Sequence, residues 1–414
     1  MSQGWPEESF KVINRPLILL LAACGTSDDA TTTLPRNTPV LVATSQVCKL
    51  LSNANTSDPT ANDVQHRANV RGADLGIPVE HQGALYLLFG DTIGFAGIWG
   101  NGESHPDAIG RVADASQLCG GIEILTLPPE SSVGPTVDPT VAADFAGAAM
   151  TAPAGHEIGE FIRNPPPGFP FLPGDFEVPS GAFAVGDAIY VFYTTVVGPG
   201  NVTMSGSYLA RWTHPATSGS PVYEILYAVD ERFDASGPLH GRFINIAAEV
   251  SGDYVYLFGT GDYRRSSIHV ARKRLDTLAT PGGFEELGEI VATPGYGELS
   301  VRYFPEVHGW LLLAEELLPT SNRIVAFAAD QPEGPWRGPL VVHDMADPAF
   351  RDRYCCQVEG NCLGEQMFDC SRTGFYGTYL FPSLIDSGDR FAVTYTMSSF
   401  SPYNVALFQA VLTR

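Results

Sequence analysis

Two aspartates flank one predicted β-hairpin near the start of the sequence. Asp74 lies in the segment GADLGIP, and Asp91 follows Phe89 and Gly90 at the end of the next apolar strand. A turn at Gly83 would reverse the chain and bring both carboxylates to the same edge of the hairpin. Glycoside hydrolysis uses such a pair, with one acid protonating the departing oxygen and one carboxylate acting as base or nucleophile. The alternative is a structural role, because aspartate beside glycine is common in turns.

The expected reaction of such a pair is direct displacement by water with inversion. We assign Asp74 as the general base and Asp91 as the general acid, although the residues alone allow the opposite assignment. The distance between the carboxyl groups distinguishes the mechanisms, since inverting enzymes hold them roughly 6.5 to 9.5 Å apart and retaining enzymes about 5 to 5.5 Å apart.

A second group of polar and aromatic residues follows a later apolar strand. Asp262, Tyr263 and Arg264 come after that strand, where Thr92 and its neighbours come after the first one. An arginine can donate hydrogen bonds to sugar hydroxyls, and a tyrosine ring can stack on a sugar face. These three residues are therefore predicted to bind substrate, with a surface salt bridge as the alternative.

Five more residues are predicted to bind substrate. They are Glu298, Arg302, Tyr403, Asn404 and Trp99. Glu298 and Arg302 lie two residues either side of Ser300, so strand alternation puts all three on one face, where a buried ion pair is the alternative to substrate contact. Tyr403 and Asn404 either line the pocket or close the end of the fold, and Trp99 is either a sugar platform or an ordinary packing aromatic.

A recurring strand pattern predicts the elements that position these residues. An alternating apolar strand after a glycine turn occurs five times, in HQGALYLLFGDT, AVGDAIYVFYTT, VSGDYVYLFGTG, EVHGWLLLAEE and DSGDRFAVTYTM. Such alternation is typical of half-buried strands. The irregular spacing argues against a strict solenoid, whereas propeller blades tolerate loops of different length. The sequence therefore predicts an all-β fold and favours a five-bladed β-propeller over a large β-sandwich.

The composition agrees with many short strands and narrows the range of partners. The 43 glycines and 32 prolines among 414 residues favour turns over long helices. The net charge of -22, from 24 basic and 46 acidic side chains, argues against binding to nucleic acids or anionic membrane surfaces. We expect a monomer that needs no redox cofactor or catalytic metal, because the sequence lacks dense His and Cys ligand spacings; a structural calcium ion would be compatible.

The first 24 residues resemble a bacterial lipoprotein signal. An apolar run over residues 16–23 ends in Leu-Ala-Ala followed by Cys24, the position that such proteins lipidate. We therefore expect export, as an outer-membrane lipoprotein or a secreted protein, with the lipid as the sole membrane contact. Residues 25–40 are rich in Thr, Ser, Asp and Pro and predict a flexible tether, which leaves 41–414 as the propeller catalytic domain. A buried strand is the alternative for the apolar run.

Six cysteines remain besides Cys24, and an even number in an exported chain predicts disulfide bonds. Cys48 and Cys119 could join the N-terminal segment to a later loop. The other four, Cys355, Cys356, Cys362 and Cys370, lie in one loop-like stretch, whose spacing does not favour zinc. We expect this stretch and the Pro-rich excursion over residues 121–176 to form the two walls of an open cleft.

Five segments of the chain resemble the signatures of a bacterial family: GADLGIPVEHQGALYLLFGDT, EVPSGAFAVGDAIYVFY, TGDYRRSSIHVAR, ELSVRYFPEVHGWLLL and SSFSPYNVALF. Over most of residues 65–414 the chain resembles the family of domain of unknown function 4185, whose members are grouped in glycoside hydrolase family 183. The resemblance implies endo-acting cleavage of D-arabinan, the furanose polymer of mycobacterial arabinogalactan and lipoarabinomannan, on a five-bladed propeller. It also implies that Asp74 and Asp91 match the acidic positions of the family's first blade.

Two features depart from the family pattern. The Cys-rich stretch and the Pro-rich excursion look like additions, which leaves the preferred chain length and the identity of the sugar open. A non-catalytic, carbohydrate-binding propeller lipoprotein is the alternative function, because propellers host binding as readily as catalysis. Such a protein would keep an aromatic mouth but would not need two juxtaposed acids.

Overall fold

The computed structural model describes ten segments of the chain. They are residues 39–52, 70–94, 107–113, 118–120, 122–125, 176–197, 203–213, 224–356, 362–400 and 402–414. The predicted signal with Cys24, the tether up to residue 38, Trp99 and almost all of the 121–176 excursion lie outside the described residues.

Nineteen β-strands and one α-helix make up the regular structure of these segments, apart from two short 3-10 turns at Leu275–Thr277 and Pro305–Val307. The strands are β1 (Leu41–Ser52), β2 (Val70–His81), β3 (Ala84–Gly94), β4 (Ile109–Val112), β5 (Glu123–Ile124), β6 (Phe176–Val185), β7 (Ala188–Val197), β8 (Thr203–Thr213), β9 (Glu224–Glu231), β10 (Asn245–Ser251), β11 (Tyr254–Thr260), β12 (Ser266–Arg274), β13 (Glu285–Phe304), β14 (Gly309–Leu317), β15 (Asn322–Ala329), β16 (Arg337–Asp344), β17 (Phe375–Asp386), β18 (Arg390–Ser399) and β19 (Asn404–Thr413). The helix α1 (Pro348–Tyr354) lies between β16 and β17. The predicted all-β class is confirmed.

The strands form four antiparallel sheets, in which most neighbours are also consecutive along the chain. The sheets contain β2 to β5, β6 to β9, β10 to β16, and β17 to β19 together with β1. In the last sheet β1 pairs with β19, so that Leu41 lies opposite Leu412 and Ser52 opposite Asn404. Strands from the two ends of the described chain therefore share one sheet.

Tight turns explain why consecutive strands pair. Between β2 and β3, Gln82 and Gly83 both have positive φ angles, of 49° and 78°. Two such residues form the type I′ turn, whose twist matches that of the strands it joins. The turn at Gly83 that the sequence predicted therefore fixes the β2–β3 hairpin.

Strand β13 belongs to two halves of the seven-stranded sheet. Its first half pairs with β12 and its second half with β14, and Tyr296 faces both Ser266 and Glu316. Gly288 and Gly295 have φ angles of 118° and 115°, which suit glycine and let the strand bend between its two partners. The sheet thus consists of two four-stranded halves that share β13.

Five strands from the four sheets contact one another in series. β2 contacts β6, β6 contacts β10, β10 contacts β13, β13 contacts β17, and β17 contacts β2. Residues of all five strands line a small cavity that has room for about one water molecule. Apolar clusters fill the spaces between neighbouring sheets. Within the described residues, the four sheets therefore contact one another through these five strands and pack through apolar clusters.

Arg302 joins four of these inner strands. From β13 it donates to the carbonyl oxygens of Pro78 at 2.6 Å and Leu380 at 3.2 Å, and to Glu249 Oε2 at 2.8 Å. Burial raises the pKa of Glu249, an effect that the positive charge of Arg302 opposes. The donor groups of Arg302 are thus used by the fold, which is the buried-ion-pair alternative for this predicted substrate-binding residue.

Three disulfide bonds connect the six described cysteines. Cys48 pairs with Cys119, which ties β1 to the segment before β5. The other two bonds, Cys355–Cys370 and Cys356–Cys362, lie within the stretch between α1 and β17. The predicted use of the cysteines for disulfides is confirmed.

Replacing Arg302 with alanine should destabilise the protein strongly. The substitution leaves the Glu249 carboxylate buried without its partner, a loss that costs about 3–5 kcal/mol in comparable pairs. Urea denaturation measures the free energy of unfolding. Arg337→Ala is the control, because its partner Asp330 is 61% exposed and such a pair is worth less than about 1 kcal/mol. Equal losses for the two variants would contradict a central role for Arg302.

Candidate active site

The β2–β3 hairpin positions both predicted catalytic aspartates. Asp74 lies opposite Gly90, and the ladder shifts register just after it, where Leu75 and Gly76 have φ angles of 62° and 85°. A Cβ atom on Gly90 would lie 2.7 Å from Asp74 Oδ1, so only glycine leaves room for this carboxyl group. Asp91 follows Gly90 directly. The hairpin therefore places the two aspartates at the same end, as the turn at Gly83 predicted.

Two tyrosines from the last sheet hold these carboxylates. The Tyr376 hydroxyl, at the start of β17, donates to Asp74 Oδ2 at 2.7 Å. The Tyr403 hydroxyl, just before β19, donates to Asp91 Oδ2 at 3.0 Å. Within the described residues Asp74 Oδ1 accepts no hydrogen bond, although it is buried. One oxygen of Asp74 is therefore oriented by the protein and the other remains available.

A second acidic group surrounds Arg264. Its Nε lies 2.9 Å from Glu315 Oε2, and its Nη2 lies 3.7 Å from Glu298 Oε2. The Tyr263 hydroxyl donates to Glu298 Oε1 at 2.9 Å, and Asn322 donates to Glu315 Oε1 at 2.8 Å. Both glutamates are less than 5% exposed. The Arg264 guanidinium thus forms ion pairs with two buried carboxyl groups.

The two acidic groups are electrostatically connected. Burial raises the pKa of Asp74 well above its ordinary value, and the charges of Asp91 and Glu298 raise it further, whereas the Tyr376 hydrogen bond opposes the change. Asp74 is 4% exposed, whereas Asp91 is only partly buried. A buried carboxyl group beside another acid keeps its proton, so Asp74 is protonated at a pH where an ordinary aspartate is ionised.

Glu298 and Glu315 form a second coupled pair of buried carboxyl groups, and one proton is held between them. Burial raises the pKa of Glu315 well above its ordinary range; Arg264 opposes this rise and Glu298 adds to it. Burial also acts on Glu298, but Arg264 and a hydrogen bond with Glu315 leave the pKa of Glu298 below its ordinary value. The proton therefore resides on Glu315, and Glu298 is the ionised member of the pair.

The other predicted substrate-binding residues have different surroundings. Asp262 accepts two hydrogen bonds from Arg232, at 2.5 and 3.1 Å, and so takes part in a salt bridge. The Asn404 side chain is buried and donates to the carbonyl oxygen of Met367 at 2.5 Å. Of the predicted set, the structure therefore brings Tyr263, Arg264, Glu298 and Tyr403 to the two aspartates and their neighbours, whereas Asp262, Arg302 and Asn404 contact protein groups at other points.

Four residues of this site were not predicted from the sequence. They are Glu315, Asn322, Tyr376 and Tyr379. The Tyr379 hydroxyl is buried, accepts or donates no hydrogen bond within the described residues, and has a raised pKa because of burial and the nearby Glu298 and Asp74. Of these four residues, only Glu315 could have been recognised from the sequence, because a charged residue follows the apolar residues WLLLA within β14.

The Cys-rich stretch approaches the same end of the fold. It leads directly into β17, where Tyr376 is the second residue. Phe368 packs against Phe375 with ring centroids 6.4 Å apart, and the Met367 carbonyl holds Asn404, the neighbour of Tyr403. The stretch is therefore adjacent to both tyrosines in the chain or in space, whereas almost all of the other predicted wall lies outside the described residues.

Comparison with known proteins identifies the family. A profile described as Domain of unknown function (DUF4185) matches residues 60–409. The chain belongs to the DUF4185 family. No curated protein sequence matches this DUF4185 chain.

Three solved structures are similar to this DUF4185 chain at low sequence identity. A Bacteroides ovatus protein, provisionally described as a hydrolase, is 15% identical with a TM-score of 0.51, over 84% of this chain and 89% of its own. The catalytic domain of a family 62 α-L-arabinofuranosidase from Coprinopsis cinerea is 12% identical with a TM-score of 0.47, over 91% and 98% of the two chains. The Podospora anserina α-L-arabinofuranosidase, solved with cellotriose, is 11% identical with a TM-score of 0.43, over 88% and 99%. The Bacteroides ovatus likeness places the DUF4185 chain in the same fold.

The described part of this DUF4185 chain contains no group of three or more His, Cys, Asp or Glu side chains arranged to hold a metal ion. The expectation that catalysis needs no metal stays a prediction. Of the helical residues that the structure describes, none belong to a segment long and apolar enough to cross a membrane.

Replacing Asp74 with asparagine should stabilise the protein increasingly as the pH rises. The pKa of Asp74 is higher in the folded chain than in the unfolded chain, so its contribution to stability is complete below the unfolded pKa and is lost as the pH rises through the folded pKa. Asparagine stays neutral at every pH, so the variant does not lose stability in this way. Thermal unfolding should show a Tm advantage of roughly 2 °C or more that appears at alkaline pH.

The exposed Asp330 supplies the control for this measurement. Its side chain is 61% exposed, so Asp330→Asn should not show a Tm difference that widens at alkaline pH. A Tm difference between Asp74→Asn and the parent that stays constant as the pH rises would show that burial does not keep Asp74 protonated.

Proposed function

We propose that the protein is a glycoside hydrolase that cleaves a furanose polysaccharide, with the D-arabinan of mycobacterial arabinogalactan and lipoarabinomannan as substrate and internal linkages as the point of attack. The observation that carries this proposal is the pair formed by Asp74 and Asp91. The two acids share one end of a hairpin but differ in burial, and one of them has a strongly raised pKa. Membership of the DUF4185 family and the sequence signatures described above support the choice of substrate.

The proposed scaffold is a five-bladed β-propeller. The sheet of seven strands counts as two blades because β13 serves both halves, which makes five groups of four strands. The closed series of contacts among β2, β6, β10, β13 and β17 supports inner strands arranged around one axis. The pairing of β1 with β19 would then close the last blade. In this arrangement the acids lie at one mouth of the axis, since Asp74, Glu298 and Tyr376 all occur near the beginnings of their inner-strand segments.

The acid pair performs the reaction in one displacement step. Asp74 donates its proton to the glycosidic oxygen as the bond to the anomeric carbon breaks. Asp91 removes a proton from the water that attacks the opposite face of this carbon, which inverts its configuration. These roles are the reverse of our first assignment from the sequence, because the buried Asp74 is the group that retains a proton.

The Arg264 group binds the sugar beside the broken bond. Glu298 is ionised, and each carboxylate oxygen has two lone pairs, so it can accept a further hydrogen bond from a sugar hydroxyl. Arg264 and Tyr263 fix the orientation of this carboxylate. The neutral Tyr379 hydroxyl, near both acidic groups, supplies a further donor.

We place the enzyme outside the cytoplasm as a monomer. Lipidation at Cys24 would anchor it to a membrane, and the residues up to 40 would act as a tether. The three disulfide bonds support an oxidising compartment, where such bonds persist.

Asparagine at either catalytic position should abolish most of the turnover. Asp74→Asn removes the acid and Asp91→Asn removes the base, and each contribution is worth about 10²–10⁴ in rate. The assay measures new reducing ends from arabinogalactan and lipoarabinomannan. Asp330→Asn, an exposed change just after the end of β15, should leave the rate unchanged.

The outcomes of this assay separate the functions. Near-normal turnover in either variant would remove that aspartate from the mechanism. A parent protein that binds arabinan but releases no oligosaccharides would be a carbohydrate-binding protein, and the hydrolase proposal would be wrong.

The Tyr376→Phe variant should move the alkaline limb of the pH profile to higher pH. The general acid must be protonated, so the rate falls as the pH rises through the pKa of Asp74. The Tyr376 hydrogen bond lowers this pKa, and its removal should raise it. Tyr354→Phe is the control, since the Tyr354 hydroxyl forms no hydrogen bond within the described residues. A lower rate with an unmoved limb would mean that Tyr376 does not act on the proton of Asp74.

A further inference from the structure

The loop between β9 and β10 exposes an aromatic ring to solvent. Phe233 is 70% exposed, the largest fraction of any bulky apolar side chain among the described residues. Apolar rings of this size are ordinarily buried, so an exposed ring that is held in a fixed position is a candidate for contact with a ligand.

The loop lies at the end of the fold that carries the acidic groups. It leads into the start of β10, one of the five inner strands. Arg232, the neighbour of Phe233, donates two hydrogen bonds to Asp262. Asp262 immediately precedes Tyr263 and Arg264, which contact the Glu298 carboxylate. A short chain of contacts thus connects the exposed ring to the candidate active site.

The backbone holds the ring in place. The Asp230 carboxylate accepts hydrogen bonds from the backbone N–H groups of Glu231, Gly241 and Phe243, which closes the loop at its base. Phe233 itself has a φ angle of 64°, a left-handed conformation that bulky residues rarely adopt. Such a conformation persists only where the surroundings determine it, so the loop holds Phe233 in a defined position.

One face of the ring is covered and the rest is open. The Arg232 guanidinium carbon lies 4.0 Å from the ring centroid, and the same guanidinium is fixed by Asp262. The cation therefore orients the ring without burying it. A ligand for this site needs an apolar face for the ring and hydroxyl groups beside it, and a sugar residue has both.

We propose that Phe233 is the platform of a separate subsite, which binds a sugar residue of the polysaccharide away from the bond that is cleaved. This inference depends on the proposed function, because the ligand is the polymer that the Asp74 and Asp91 pair would cleave. The subsite adds affinity for long chains and takes no part in the bond-breaking step.

Two substitutions at Phe233 test the platform. Phe233→Asn removes the ring and suits the left-handed backbone, whereas Phe233→Tyr keeps the ring. Ile385→Ala is the matched control, since Ile385 is 46% exposed and lies at the far end of β17 from Tyr376. Isothermal titration measures binding to arabinogalactan, and kinetics compare this polymer with the shortest arabinofuranosyl oligosaccharide that is cleaved.

Phe233→Asn should weaken binding to the polymer by roughly 2- to 12-fold, the range for one aromatic contact. Its KM for the polymer should rise by a similar factor with kcat unchanged, while the short substrate, the Phe233→Tyr variant and the Ile385→Ala variant behave as the parent. Unchanged polymer binding would overturn the subsite and leave the hydrolase proposal intact. Equal losses on polymer and short substrate with a lowered Tm would also overturn it, in favour of a structural role.

The titration with arabinogalactan separates this inference from the proposed function. If the parent binds arabinogalactan without cleaving it, the hydrolase proposal fails, and the comparison of Phe233→Asn with the parent still decides the subsite. If the parent neither binds nor cleaves the polymer, both proposals are wrong, and an exposed ring that binds another protein becomes the remaining explanation.

Discussion

The candidate site depends on one guanidinium placed among buried acids. Arg264 contacts Glu298 and Glu315, and the Asp74 carboxyl lies close enough for Glu298 to raise its pKa. Burying three ionised carboxylates beside one cation would cost far more than the pairings return. The structure resolves this by leaving protons on Asp74 and Glu315, and only Glu298 is kept ionised by Arg264. The pattern of protonation is thus a consequence of burial and of where the single cation stands.

The fold tolerates this cluster because neighbouring strands supply its hydrogen bonds. Hydroxyl groups of β18 donate across to β2, from Thr396 to the Gly76 carbonyl and from Ser398 to the Leu75 carbonyl. These bonds fix the left-handed residues that follow Asp74, and Tyr376 from the adjacent β17 orients its carboxyl group. The irregular step in β2 is therefore satisfied by the last sheet and does not need solvent. Strands, and not a loop, hold the Asp74 carboxyl group.

The sequence predicted the parts of this site that depend on local structure, but it did not predict the contacts between distant strands. The β2–β3 hairpin and the shared face of Glu298 and Arg302 follow from turn chemistry and strand alternation, which act within about twenty residues. The tyrosine that holds Asp74 is 302 residues away in the chain, and no periodicity links the two. Asp262 and Asn404 looked like substrate ligands because they carry suitable groups, yet their partners, Arg232 and Met367, occupy those groups. Whether a polar side chain is available is a property of the packed sheets, which one-dimensional patterns do not contain.

The same reasoning explains why residue types alone did not assign the acid and the base of the proposed reaction. Two aspartates in one hairpin are chemically identical until their surroundings differ, and here Asp74 is 4% exposed while Asp91 is partly open. A neutral polymer, such as the proposed substrate, is not repelled by a chain of net charge -22, so its approach to the candidate site meets no electrostatic barrier. A sugar residue that covers Asp74 would exclude water and disfavour its charged form still more. In the proposed reaction, protonation of Asp74 and occupation of the site by substrate therefore reinforce each other.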